Sequence, residues 1–271
     1  LSYPDIVCLA GGVPVVVQAS AAQGFKVTPA MLDAKTSERT RLLILNSPSN
    51  PTGAVYTAGE LDALLAWAHE RGIFVLCDEI YDQLVFAPAK MASAIHHFVR
   101  RPDEIAILGG LSKSFAMTGW RVGYLVAHPE LIRKISGMQG HSTSNICSIA
   151  QKAAVAALNG PLDCLKPMLE AFQRRRDLAM RVIRDWPWAV CPQPDGAFYL
   201  FVDVSGCYGG SVKNSTELCT RLLDEAHVAL VPGAAFGDDN CIRFSYAVAD
   251  EVLAQALEAS GKVMARLAAE K

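Results

Sequence analysis

Three short apolar runs, Leu42-Leu43-Ile44-Leu45, Ile73-Phe74-Val75-Leu76-Cys77 and Ile105-Ala106-Ile107-Leu108, constrain this chain more than any other feature. Each is too short for a buried helix and lacks the polar alternation of a strand with one wet face, so each reads as a strand covered on both sides. Such strands belong to parallel sheets, whose crossovers are helices. Residues 58–71 supply one crossover: an amphipathic stretch with Thr57 as N-cap and Gly72 just beyond its end. Residues 13–17 and 122–126 read as further strands. From Pro129 the pattern turns helical, breaks at Pro161 and resumes over 162–186. Short strands at 197–202, 228–231 and 241–245 come next, with helices over 216–226 and 250–267. The expected architecture is α/β: a large, mostly parallel α/β/α sheet domain over residues 1–160 and a smaller α+β domain over 161–271. No internal repeat or low-complexity linker interrupts it.

The ends of these runs carry the chemistry. Asp78 comes directly after a buried strand, where a carboxylate is costly without a cationic partner, and that edge is where open α/β sheets bind ligands. Lys113 lies in Leu111-Ser112-Lys113-Ser114-Phe115-Ala116-Met117-Thr118-Gly119-Trp120-Arg121-Val122-Gly123, a single amine among small and apolar residues with Arg121 eight positions on. A partly desolvated lysine loses proton affinity and can form a Schiff base, and an arginine fork suits a phosphate. Pyridoxal 5'-phosphate joins an aldehyde to a phosphate, and its pyridinium nitrogen would be the partner Asp78 needs. Tyr81 is placed to donate to the cofactor's phenolic oxygen. Asn50, in the loop Asn46-Ser47-Pro48-Ser49-Asn50-Pro51-Thr52-Gly53 after another strand, could reach the same oxygen. Taken singly these signals are weak: Ser-Lys near an Arg is common on surface loops, Asn-Pro in plain turns, and a lone buried Tyr is usually a core residue.

Five motifs occur in the order seen in class I/II aminotransferases of fold type I: Asn50-Pro51-Thr52-Gly53, Asp78-Glu79-Ile80-Tyr81, Ser112-Lys113 with Arg121-Val122-Gly123, Gly196-Ala197-Phe198-Tyr199, and Ile242-Arg243-Phe244-Ser245-Tyr246. Phe115-Ala116-Met117-Thr118-Gly119-Trp120-Arg121 and Leu9-Ala10-Gly11-Gly12-Val13-Pro14-Val15 resemble the bacterial aspartate-type subgroup. The resemblance implies that Lys113 is the Schiff-base lysine and that Asp78 pairs with the pyridinium nitrogen. It assigns Tyr81 and Asn50 to the phenolic oxygen and Arg121 to the phosphate. Arg243, with Asn50, would face substrate and clamp its α-carboxylate in a bidentate fork. Without the family context, Arg243 reads as a strand-end surface charge.

Two departures stand out. Gly110 occupies the position where many relatives carry a phosphate-binding serine, which leaves its N–H or the neighbouring Ser112 as substitutes. The chain also opens at Leu1-Ser2-Tyr3-Pro4, already inside the family's cofactor domain, so the resemblance implies a missing N-terminal portion. In the family that portion supplies a glycine turn at a helix N-terminus for the phosphate, an aromatic stacked on the ring, and residues crossing to a partner subunit. Residues 1–17 are expected to enter as domain core.

Composition narrows the function classes. A net charge of −2 argues against a partner held by phosphate neutralisation, and Arg174-Arg175-Arg176 on a helical pattern reads as a solvated face, so no nucleic-acid partner is expected. No apolar run reaches membrane-spanning length, so no membrane partner is expected either. Eight scattered cysteines lack zinc-site spacing and favour a reducing, cytoplasmic setting over a disulfide framework. No histidine pair has ligand spacing, and no metal is expected. The expected function is ping-pong transamination by a homodimer, from an L-amino acid, aspartate first, to a 2-oxo acid such as 2-oxoglutarate. The same residues would also serve a carbon–sulfur β-lyase of this fold, or a non-catalytic ligand-sensing domain. Ser142-Thr143-Ser144-Asn145 lies near the side-chain position by resemblance but does not fix a carboxylate preference.

Overall fold

A computed structural model describes residues 2–270. The three apolar runs form β1 (Leu42–Asn46), β2 (Phe74–Asp78) and β3 (Ile105–Gly110), and β4 (Gly123–Val126) completes a sheet of order β1-β2-β3-β4. The first three strands are parallel and β4 joins the edge antiparallel to β3. Register sets where the connecting loops lie: Asn46 is opposite Asp78 and Asp78 opposite Leu108, so the loops after all three parallel strands emerge along one edge.

Helices cover this sheet unevenly. After α1 (Ser2–Leu9) and α2 (Pro29–Asp33) comes α3 (Ala58–Glu70), which starts on a reciprocal cap. Glu60 N donates to Thr57 Oγ1 (3.3 Å) and Thr57 N to Glu60 Oε2 (2.8 Å), which satisfies two N–H groups the helix itself cannot. Its buried face, Leu61, Leu64, Leu65, Trp67 and Ala68, packs with Val75, Ile105 and Ile107 of the sheet. α4 (Ile95–Arg100) precedes β3, and α5 (Pro129–Ser142) and α6 (Ser148–Asn159) come after β4. The long α7 (Leu165–Arg184) leads to a second sheet of order β5-β7-β6, from β5 (Tyr199–Asp203), β6 (Val231–Pro232) and β7 (Cys241–Ser245). α8 (Ser215–Ala226) and α9 (Asp250–Ala268) close its core, in which Leu200, Leu218, Leu222, Ile242, Leu257 and Met264 are fully buried.

Several expectations need correction. Residues 13–17 form no strand: they run unpaired, and Val13, Val15 and Val16 are exposed. Residues 2–17 likewise do not enter the core: none of them is buried, α1 included, and only Val17 packs against the sheet's cluster, in part. The strand over 228–231 shrinks to Val231–Pro232, which leads into a short 3-10 turn, Gly233–Phe236. The basic cluster is only partly solvated. Arg174 and Arg175 bind Asp250, whereas Arg176 is buried, donates to Pro194 O (3.2 Å) and lies over the Phe86 ring (4.9 Å). Helical spacing turned its aliphatic stem inward, where the Phe86 face and a carbonyl replace water.

Candidate active site

The sheet edge gathers most of the predicted residues. Asp78 ends β2, and one oxygen of its buried carboxylate accepts from Ile80 N (3.0 Å) and the other from the Tyr3 hydroxyl. Two donors hold the group in place yet leave lone pairs for a cationic N–H. Asn46, at the end of β1, organises the neighbouring loop. Its Nδ2 donates to Asp78 O (3.0 Å) and its Oδ1 accepts from Asn50 N (2.8 Å), so Asn50 is fixed relative to Asp78 through a single amide.

Glu79 points away from the edge. Its carboxylate accepts from Ser93 Oγ and Ala94 N, both at 2.7 Å, and pins the 93–94 loop to the sheet. Burial pushes its carboxyl above the usual range, against those two hydrogen bonds, with Asp82 and Asp78 adding smaller upward contributions.

Lys113 stands in the turn after β3, half-buried, with Nζ 5.9 Å from the centre of the Phe198 ring. Ser114 ties that turn to the loop after β2 through Asp82 Oδ1 (3.1 Å). Ser112 is half-buried and its carbonyl accepts from Thr118 Oγ1 (2.7 Å). Gly110 is closely packed: a Cβ there would come 2.8 Å from Ile80 Cδ1 and 3.1 Å from Val122 O. Arg121 sits apart from the buried cluster, exposed and with φ +56°, its Nη1 donating to Thr118 O (3.1 Å). Unlike the other predicted groups, it faces open surface.

The second sheet brings the remaining partners. Arg243, on central β7, donates from Nη1 to Asn50 Oδ1 (2.9 Å), a contact that joins the two sheets. Its guanidinium lies between the Tyr199 ring (4.5 Å) and the Phe236 ring (5.1 Å), and its Nε is buried without a hydrogen-bond partner. Tyr81 is buried and shares a 3.1 Å hydrogen bond with Tyr199. Burial pushes its hydroxyl well above the usual range, with Asp78 adding to the push and Arg243 opposing it, so the phenol keeps its proton. Gly53 makes the close approach possible. Its carbonyl accepts from Asp195 N and Gly196 N (2.9 Å each), its φ is +69°, and a Cβ would meet Pro194 Cβ at 2.3 Å.

The donor set fits pyridoxal phosphate: an amine for the aldehyde, a carboxylate for the pyridinium N–H, and a phenol and an amide for the phenolic oxygen. The unpaired Arg243 Nε leaves capacity for a carboxylate. Sequence reasoning missed Tyr3, Asn46 and Tyr199 as partners of this set. Asn46 was legible as a polar residue ending a buried strand beside Asp78. The contacts of Tyr3 and Tyr199 depend on long-range packing. Among the described residues no group of three His, Cys, Asp or Glu side chains could hold a metal, and no helix is long and apolar enough to cross a membrane.

Comparison with known proteins shows the family. Residues 1–259 match the family described as aminotransferase class I and II. The aspartate/prephenate aminotransferase of Cereibacter sphaeroides is 44% identical over 270 residues, covering 94% of this chain and 66% of that protein. The aspartate aminotransferase of Streptomyces avermitilis is 39% identical over 97% of this chain and 66% of its own length. The crystal structure of the aspartate aminotransferase from Rhizobium meliloti superimposes with a TM-score of 0.92 at 39% identity, over 98% of this chain and 68% of that one. The chain thus spans about two thirds of its relatives' length. With a lysine, an aspartate and an arginine brought together from two sheets on a shared fold, this chain belongs to the class I and II aminotransferases.

Proposed function

We propose that this chain carries the catalytic residues of a pyridoxal-phosphate-dependent aminotransferase that moves the amino group of an L-amino acid to a 2-oxo acid such as 2-oxoglutarate. The observation that supports it most is the Arg243–Asn50 hydrogen bond, because it sets a carboxylate-binding fork beside the loop that Asn46 ties to Asp78. Aspartate is the first donor to test, since the relatives named above carry it in their names. Residues 1–160 and 161–271 act as the large and small domains, and the protein works as a cytoplasmic homodimer. The exposed thiols of Cys8, Cys147 and Cys164 support a reducing compartment.

When bound, the cofactor supplies an aldehyde and an electron-accepting ring. Asp78 keeps the proton on the ring nitrogen, and Tyr81 and Asn50 donate to the phenolic oxygen. Arg121, with Ser112, holds the phosphate by charge and hydrogen bond. Arg243 takes the substrate α-carboxylate bidentately, which fixes the Cα–H bond relative to Lys113. Lys113 Nζ would hold the cofactor through its aldehyde carbon and, once displaced by the substrate amine, would act as the base that takes the Cα proton and delivers it to that carbon, two bonds from Cα. The test is glutamate formation from aspartate and 2-oxoglutarate with added pyridoxal phosphate. Turnover that disappears in Lys113→Ala supports the reading, and turnover retained in that variant overturns it.

A further inference from the structure

Tyr199 touches both working ends of the site. It begins β5, is buried, and pairs with Ser245 two positions beyond Arg243. Its ring face lies 4.5 Å beneath the Arg243 guanidinium, and its hydroxyl sits 3.1 Å from that of Tyr81. The two phenol rings meet edge to face at 5.9 Å and 83°, and Phe198 packs on both.

Hydrogen-bond direction is set by the chemistry. Two phenols share one bond, so one hydroxyl donates and the other accepts. If Tyr81 donated to Tyr199, Tyr81 would present lone pairs to the anionic phenolic oxygen it is read as binding. The reverse order, Tyr199 to Tyr81 and Tyr81 outward, presents a proton there and lets each bond polarise the next.

We propose that Tyr199 is a positioning residue with two functions: its hydroxyl donates to Tyr81 Oη so that the Tyr81 proton faces the cofactor oxygen, and its ring holds the Arg243 guanidinium in the plane that receives the substrate carboxylate. This rests on the aminotransferase reading above. The flat face suits a planar cation, and with Phe236 at 5.1 Å on the same guanidinium the fork has little freedom to rotate.

The two functions separate in two variants. Tyr199→Phe keeps the ring and removes the donor. The phenolic oxygen depends most on outside donors when the nitrogen of the lysine linkage is unprotonated, so weakening the Tyr81 donor raises the pKa read from the visible band by about 0.5 unit. The amino-acid KM stays within about twofold, because the ring remains. Tyr199→Leu also removes the ring and raises the amino-acid KM about tenfold, with a smaller change in kcat. In a Tyr81→Phe background, Tyr199→Phe gives no further spectral shift, because the hydroxyl acts through Tyr81.

A Tyr199→Phe titration that superimposes on a wild-type band, or one that shifts equally without the Tyr81 hydroxyl, overturns the donor function while leaving the aminotransferase reading intact. Unchanged KM in a folded Tyr199→Leu overturns the clamp function. Should Tyr199→Leu fail to fold, Tyr199→Trp, which keeps an aromatic face, must hold KM near the Tyr199→Phe value. A tenfold rise in that variant overturns the clamp. Wild-type protein with no visible band overturns the aminotransferase reading and this inference with it.

Discussion

The two sheets are covered to different degrees. Around β5-β7-β6, helices α7, α8 and α9 close a continuous core from which Leu200, Leu222, Ile242, Leu257 and Met264 are wholly excluded from water. Around β1-β2-β3-β4 the α3 side is packed, but α1 and α5 bury no residue, and Met138, Ile149, Val155 and Leu158 are more than half exposed. The groups proposed for the chemistry, Asp78, Tyr81 and Lys113, all belong to the less covered sheet, and the proposed carboxylate clamp Arg243 to the closed one. On the proposed function the open half carries the chemistry, and the closed half reaches it through the Arg243–Asn50 bond.

That division is testable from its strongest consequence downward. Lys113→Ala should lower kcat by about 10⁴-fold or more, since both the covalent anchor and the proton carrier are lost, measured as aspartate-dependent glutamate formation. Residual turnover within tenfold of wild type would remove Lys113 from the chemistry. Next, Leu222→Ala in the closed core should cost about 2–5 kcal/mol in denaturant unfolding, whereas Leu158→Ala on the open face should change stability by about 0.5 kcal/mol or less. Equal losses would erase the distinction between the two halves.

Arg243→Lys should raise the amino-acid KM by about 10–100-fold with a smaller change in kcat, because an ammonium cannot supply a planar fork. A change confined to kcat would move Arg243 from clamp to chemistry. The smallest effect concerns Asp250, whose carboxyl Arg174 and Arg175 hold down to about 2, chiefly by hydrogen bonding. A depressed carboxyl contributes stability above its unfolded value, near 3.8, and loses that contribution as pH falls through about 2. The pair is exposed, so Asp250→Asn should lower Tm by only about 1–2 °C at pH 6, with the difference vanishing near pH 2.

Much of this was legible in the sequence, for reasons that differ by region. The parallel strands were readable because doubly covered strands are apolar throughout, and α3 because Thr57 and Gly72 mark its two ends. Aminotransferase membership was carried by ordered motifs. Residues 13–17 misled because an unpaired valine run has the same composition as a strand, and pairing partners are not written locally. Arg176 misled because charge alone does not tell a surface arginine from one whose stem packs on Phe86. The links from Tyr3 to Asp78 and from Tyr199 to Tyr81 span 75 and 118 positions, so only the folded chain brings them together.

The central claim is that one lysine among many is prepared for an aldehyde. Residues 1–271 would be incubated with pyridoxal phosphate at substoichiometric and saturating levels, reduced with borohydride and mapped by peptide mass spectrometry. The account predicts that the phosphopyridoxyl adduct forms first and saturably on Lys113, ahead of exposed lysines such as Lys262. Adducts spread over the surface lysines, with Lys113 unmodified, would contradict it.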